Sequence, residues 1–156
     1  MRIVPEQDFY FIDTNILMYA AGAEHHLKEP CVRILQDIAH YNIPAYSNVE
    51  MLQEILHIYK SRKRAADGIK IVNDFTTIVD NIMSVHQKDI DRAMLLMEQL
   101  TNAAVRDTVH IATMLHCGIT NIVSADKHFA DVPSIRRVDP LDWSEHLVKS
   151  GVTTMG

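Results

Sequence analysis

Cysteine is scarce in this chain of 156 residues: Cys31 and Cys117 are the only two, and neither belongs to a metal or redox motif. Both fall within helical patterns, which fits a reduced, cytoplasmic setting. Long apolar runs are missing as well. None approaches the roughly 20 residues needed to span a bilayer, so no membrane association is expected. Arg2, Glu6 and Asp8 interrupt the start of the chain, so no signal peptide is expected there. Nor is there an excess of positive charge. A formal net charge of −5, without a long run of either sign, argues against holding nucleic acid by general attraction. It leaves room for a nucleic-acid enzyme whose acidic pocket is neutralised by divalent metal. Internal repeats and low-complexity segments are absent too. Apolar residues make up 47% of the chain, enough to argue against general disorder. The length suits one domain with a substantial core. We expect that domain over residues 1–149, with 150–156 as a frayed tail.

The most informative stretch is Phe9-Tyr10-Phe11-Ile12-Asp13-Thr14-Asn15. Four bulky apolar residues stop at a carboxylate, the pattern of a short strand buried on both faces of a parallel sheet. Asp13 then falls at the carboxyl end of the strand, where open α/β sheets place ligand sites. An equally weighted alternative is that Asp13 only caps the helix beginning near Ile16.

Helical spacing follows in Leu27, Cys31, Ile34, Leu35 and Ile38. Pro44 makes a central strand unfavourable, so Asn42–Ser47 is expected to form a short strand near the sheet edge. Ser47 or Asn48 can cap a helix from Val49 to Ser61, with a stripe of Val49, Leu52, Leu56 and Tyr59, widened by Met51, Ile55 and Ile58. Glu50, Glu54 and His57 fall on its polar side. The solvated turn Arg62-Lys63-Arg64 leads to another helix, with Gly68 weakening that assignment or pushing the helix start beyond itself. A strand is expected at residues 81–85 and a helix with a face of Ile90, Ala93, Met94, Met97 and Leu100. The helix Val105–Cys117 stops at Gly118. The strand Ile119–Ser124 comes next, with Asp126 just past its end, and a small strand at Arg136–Val138 closes the series. Strands alternating with helices imply a mostly parallel sheet with right-handed crossovers, an α/β three-layer α/β/α sandwich.

Asp13 and Asp126 both follow strands, and Asp107 lies in the first turn of a helix. Acids so placed can converge on one sheet edge, and Glu54 is a fourth candidate. Several carboxylates in one pocket repel one another unless a cation is present. Magnesium or manganese, which prefer hard oxygen ligands, would offset that repulsion and polarise a phosphoryl oxygen. Each acid also has a plainer reading. Asp107 can favour its helix N-terminus, Asp126 with Lys127 can be an ordinary turn, and Glu54 can be solvated. Spacing alone does not prefer Glu54 over Glu50.

Four segments together resemble the PIN-domain ribonucleases. Tyr10-Phe11-Ile12-Asp13-Thr14-Asn15 resembles the family's first strand and acid, and Val49–Leu56 its helix with the second acid, at Glu54. Arg106-Asp107-Thr108-Val109-His110-Ile111-Ala112-Thr113 is similar to the third motif. Gly118-Ile119, continuing through Ile122-Val123-Ser124-Ala125-Asp126-Lys127-His128-Phe129, is similar to the last. The matches keep the family's order over roughly residues 8–139. The resemblance implies a PIN-like fold and a magnesium- or manganese-dependent endoribonuclease acting on single-stranded RNA. It also implies catalytic and metal-binding roles for Asp13, Glu54, Asp107 and Asp126. The short single-domain form is most similar to VapC-type toxins of toxin–antitoxin pairs, which implies a homodimer and a small antitoxin whose segment occupies the active-site groove. The chain departs from the pattern behind Asp126, where Lys127 and His128 stand in place of a fifth acid; Asp131 is a weak substitute, leaving open one metal or two. Asn15 and Ser124, beside two of the acids, suit the positioning of water or phosphate. Arg106 and Lys127 suit RNA phosphates, and equally suit solvated surface charge.

Three rival readings deserve weight. Glu54-x-x-His57 and Asp107-x-x-His110 mimic the paired motif of di-iron carboxylate bundles, against which the strand content argues. A PIN-like scaffold that binds RNA or protein without cutting is a second. A phospho-receiver domain, the third, lacks an acidic pair at Asp13, where Ile12 stands.

Overall fold

The computed structural model describes residues 8–152. The expectation for the chain's first seven residues, and residues 153–156 of the expected tail, lie outside that range. Strand β1 (Tyr10–Ile12) leads into helix α1 (Thr14–Ala21) and then α2 (Lys28–Tyr41). Next come β2 (Ala45–Asn48), the hairpin of α3 (Val49–Ser61) and α4 (Ala65–Ile78), and β3 (Asn81–Met83). A second helical pair, α5 (Gln87–Gln99) and α6 (Val105–His116), precedes β4 (Asn121–Val123). A 3₁₀ turn (Lys127–Asp131), β5 (Arg136–Val138), a 3₁₀ turn (Pro140–Asp142) and α7 (Trp143–Lys149) complete the order.

All pairings in the five-stranded sheet are parallel, in the order β3-β2-β1-β4-β5. The chain therefore builds outward from β1 in one direction, then returns to build outward in the other. The reversal leaves a crevice between the carboxyl ends of β1 and β4, the point where open α/β sheets take ligands. Register is set by burial. Tyr10 and Ile12 face a core shared with α1, α2, α3, α4 and α7, through Leu17, Ile34, Ile55, Phe75 and Leu147. Phe11 points to the opposite face, with Ile111 and Met114 of α6 and Ile122 of β4. A slip of one residue would exchange those faces. The result is the expected three-layer α/β/α sandwich.

The strand at Ala45 is next to the edge but is paired on both sides. It lies between β1 and β3, and the edges are β3 and β5. Pro44 does not prevent this, because it precedes the strand and contributes only its carbonyl, which accepts from Tyr10 N at 3.1 Å. The α3 stripe is also rotated from the expected one. Met51, Ile55 and Tyr59 are buried, whereas Val49 and Leu56 are exposed. On α5 only Ala93 of the expected face is buried, and Ile90, Met94 and Met97 are exposed.

Gly68 does not delay α4, which runs through it. Its missing side chain lets α4 close onto α3: a Cβ there would stand 2.7 Å from Tyr59 Cβ. Gly68→Ala would gain about 1 kcal/mol of helix propensity but meet an overpacking cost of about 1–3 kcal/mol. We expect a net loss of roughly 1 kcal/mol, read as a lowered urea midpoint with unchanged slope.

The C-terminal helix is fixed from both sides. Trp143 Nε1 donates to the buried Asp37 carboxylate at 3.0 Å, whose other oxygen accepts from Arg33 Nε at 2.9 Å. Tyr10 Oη is hydrogen-bonded to His146 Nε2 at 2.7 Å. Burial pushes the Cys31 thiol up to about 12, so that sulfur is a packing atom rather than a reactive one.

Candidate active site at the sheet crossover

Asp13 sits where β1 ends, its N–H donating to Val123 O of β4 at 3.1 Å. Its carboxylate has two tasks at once. Oδ1 accepts from Thr14 N at 2.8 Å, capping α1, while Oδ2 accepts from Ser124 Oγ at 2.6 Å and from Asn15 Nδ2 at 3.2 Å. The cap and the cluster member are thus the same residue. Asn15 adds a second bond to Ser124 Oγ, at 3.1 Å, and its own Oδ1 accepts from Ala125 N at 3.2 Å. Ser124 Oγ also accepts from Asp126 N at 3.0 Å. Asn15 and Ser124 therefore fasten the end of β1 to the segment that carries Asp126.

Asp126 in turn caps the following 3₁₀ turn through His128 N at 2.9 Å, and His128 Nδ1 lies 3.0 Å from the same Oδ1. Glu54 is held across the crevice by two donors. Thr14 Oγ1 donates to Oε2 at 2.7 Å, and Arg106 Nη1 to Oε1 at 2.8 Å. Glu50, the alternative left open by spacing, is not in this network. Asp107 follows Arg106 in the first turn of α6, half-buried. Lys127 is exposed beside Asp126.

The four acids lie close enough for their charges to act on one another. Burial raises the Asp13 carboxyl from its ordinary 3.8 to about 6, opposed by the bonds from Ser124 and Thr14 and assisted by the charges of Glu54 and Asp126. Burial raises Asp107 to about 7, and Asp13, Asp126 and Glu54 each push it further, with His128 pulling the other way. Among the described residues, no three acidic, histidine or cysteine side chains are drawn together as tightly as a finished metal cage. They stand instead as oxygen donors at mutually repulsive range. The donor set is all carboxylate and its charge is only partly offset, by Arg106 at Glu54 and His128 at Asp126, which suits a hard divalent cation. Asp131 is exposed, and its charge is not among those that shift Asp13 or Asp107.

Three features escaped the sequence reading. Thr14 grips Glu54, His128 pairs with Asp126, and a buried polar knot lies behind the acids. In that knot Asn48, the α3 cap, accepts from Met51 N at 2.9 Å. Its Nδ2 lies 3.0 Å from both His110 Nδ1 and Thr113 Oγ1. With Oδ1 committed to the helix cap, the Asn48 amide must donate to His110, so His110 keeps its proton on Nε2. Burial depresses its pKa to about 4, so the ring is neutral. The knot ties the start of α3 to α6, and hence the elements bearing Glu54 and Asp107. A hint was available in the sequence: Asp107-x-x-His110-x-x-Thr113 puts three polar groups on one helical stripe. His110 Nδ1 is thereby spent on Asn48, its buried Nε2 has no hydrogen-bond partner among the described residues, and the ring lies tilted against Phe11 with centroids 5.1 Å apart. Together with the parallel sheet, this removes the di-iron bundle reading.

Comparison with known proteins agrees with this architecture. The PIN domain family model matches residues 10–135. The chain belongs to the PIN-domain family. Among curated proteins it is similar to ribonuclease VapC13 of Mycobacterium tuberculosis, 31% identical over 127 residues, covering 81% of this chain and 97% of that one. Ribonuclease VapC7 of the same organism is 31% identical over 133 residues, covering 83% and 90%. Among solved structures, VapBC2 from Rickettsia felis, bound to a promoter DNA fragment, has the same fold. Its TM-score is 0.67 at 15% identity, covering 84% of this chain and 98% of that one. Mycobacterium tuberculosis VapC20, described as a sarcin–ricin loop cleaving toxin, gives 0.62 at 16% identity, covering 81% and 98%.

Proposed function

We infer that the chain is an endoribonuclease toxin of the VapC type, which hydrolyses phosphodiester bonds of single-stranded RNA with magnesium or manganese. The observation that carries this reading is the convergence of Asp13, Glu54, Asp107 and Asp126 on the crevice between β1 and β4, in a PIN-domain chain whose curated relatives are named ribonucleases. Asp13, Asp107 and Asp126 would hold a divalent cation, which would neutralise the pocket and stabilise charge on the phosphoryl oxygens. Glu54 supplies the remaining carboxylate, as ligand or as the base that takes the proton of the attacking water. Thr14 orients it. Arg106 is placed to exchange Glu54 for an RNA phosphate, with Lys127 as a second cation at the mouth. Ser124 and Asn15 hold Asp13 and Asp126 in register.

The partners follow from surface chemistry. A groove of about 350 Å³ between α1, α2 and α4, lined by Leu17, Leu35, Ile71, Phe75 and Ile78 and by none of the four acids, offers a small antitoxin an apolar seat besides the active-site groove. The exposed row Ile90, Met94 and Met97 on α5 gives a second copy of the chain a face to cover, which supports a homodimer. Among the described residues no helix is long and apolar enough to cross a membrane, in keeping with a cytoplasmic toxin.

The deciding experiment is digestion of labelled single-stranded RNA with manganese or magnesium, with and without chelator. Cleavage that stops on chelation and returns with excess metal is the expected result. Cleavage indifferent to chelator would overturn the metal mechanism.

A further inference from the structure

The acid cluster accounts for the phosphate but leaves the base beside it without a reader. A small cleft lies on the other side of His128. It encloses about 230 Å³, below the roughly 300 Å³ at which drug-sized ligand sites begin. Leu100 and the buried Val132 form an apolar floor, and Gln99 and Asn102 stand at the rim with His128 and Asp131. His128 is the shared wall: its Nδ1 lies 3.0 Å from Asp126 Oδ1, so the cleft opens directly beside the acid centre.

We propose that this cleft is a nucleobase subsite, which receives the base next to the scissile phosphate and sets the sequence preference of cleavage. The inference rests on the ribonuclease reading above. The chemistry of the lining selects the ligand. No lysine or arginine lines the cleft, which excludes a phosphate. A single carboxylate, Asp131, is too little for a divalent cation. A flat ring with a polar edge matches an apolar floor bounded by amides, because each amide offers both donor and acceptor to a base edge. The His128 ring is exposed and flat, and bases splayed from a single strand stack on such rings. The backbone presenting Asn102 is preformed, closed by donation from Ala103 N to Leu100 O at 3.0 Å. The single-stranded preference follows as well, since a base held in a duplex could not enter.

The test uses a random-sequence RNA library cut by the full-length protein with manganese, and the cut ends are sequenced. The wild type is compared with the double variant Gln99→Ala and Asn102→Ala, both at exposed positions outside the acid cluster. The wild type should favour particular bases at one position flanking the cut. The variant should lose about 2- to 10-fold of that discrimination for each hydrogen bond removed. Its manganese-induced thermal shift should match the wild type. Identical base preferences in both proteins would overturn the subsite, as would a wild type that cuts without base preference. A wild type that takes manganese, by its thermal shift, yet cuts no member of the library would overturn the ribonuclease reading and the subsite with it.

Discussion

Asp13→Asn should leave a protein that folds better and cuts hardly at all. Loss of one ligand carboxylate at the centre of the cluster should lower kcat/KM on RNA on the order of 10³-fold, the scale of losing a principal electrostatic group. The geometry should survive, because an asparagine oxygen can still accept from Thr14 N and cap α1. Stability should rise at the same time. The carboxyl of Asp13 is raised from 3.8 to about 6 by its burial, so above that pH the wild type holds an ionised group in a place that resists it. A shift of that size corresponds to about 3 kcal/mol. Some is returned when the Ser124 and Asn15 donors must reorganise around an amide, leaving about 1–2 kcal/mol in favour of the variant at pH 8 without metal. The checks are a calorimetric melting temperature and single-turnover cleavage on the same preparation. A variant that retains wild-type cleavage would remove Asp13 from the metal site. One that melts lower would show that the carboxylate is needed as a structural anion.

The second large effect is in pH and metal together. For both Asp13 and Asp107 the folded protein holds the proton more tightly than the unfolded chain does. Below about pH 4 both states are protonated and no penalty arises. As pH rises toward the folded values, about 6 and about 7, the unfolded chain sheds protons that the fold retains, and stability falls. The metal-free protein should therefore melt higher at pH 5 than at pH 8. Solvent screening makes the contribution of the more open Asp107 smaller than its shift alone implies. Manganese should reverse the trend, because it binds the ionised acids and must compete with protons at pH 5. At a hundred times its dissociation constant it should add about 2.7 kcal/mol at pH 8, roughly 5–10 °C in a chain this long. At pH 5 the increment should nearly vanish. A metal shift of equal size at both pH values would mean that the cation binds elsewhere.

The class of fold and the position of Asp13 were legible in the sequence itself, whereas Glu54 was singled out from Glu50 only by the family resemblance. Strands buried on both faces leave unbroken apolar runs, and a carboxylate ending such a run stands out, as Asp13 does after Ile12. Helix faces were harder to read. The α3 stripe, expected on Val49, Leu52, Leu56 and Tyr59 with Met51, Ile55 and Ile58 widening it, is centred on Met51, Ile55 and Tyr59 and leaves Val49 and Leu56 exposed, because a helix apolar on most sides does not reveal which arc meets the sheet. Pro44 does not keep β2 from pairing on both sides, since the rule against central prolines concerns residues whose N–H the ladder needs, and Pro44 lies one residue before that point. The site's inner scaffold was hidden for another reason. Thr14 meets Glu54 and Asn48 meets His110 across separations of 40 and 62 residues, and no local period records such encounters.

The strand order has a consequence for synthesis. Strand β1 is the first of the described strands in chain order and occupies the middle of the sheet, yet β4, which flanks it on one side, lies more than a hundred residues later: Tyr10 pairs with Asn121. Until β4 has emerged and docked, Asp13 has neither Ser124 as a donor nor Asp126 as a neighbour. Non-local parallel pairing of this kind is also a slow step in folding. A nascent or prematurely terminated chain can complete β1, β2 and β3 with their helices and still hold only half of the crevice. A chain that ends before β4 therefore holds Asp13 without the donor and the acidic neighbour that complete the cluster.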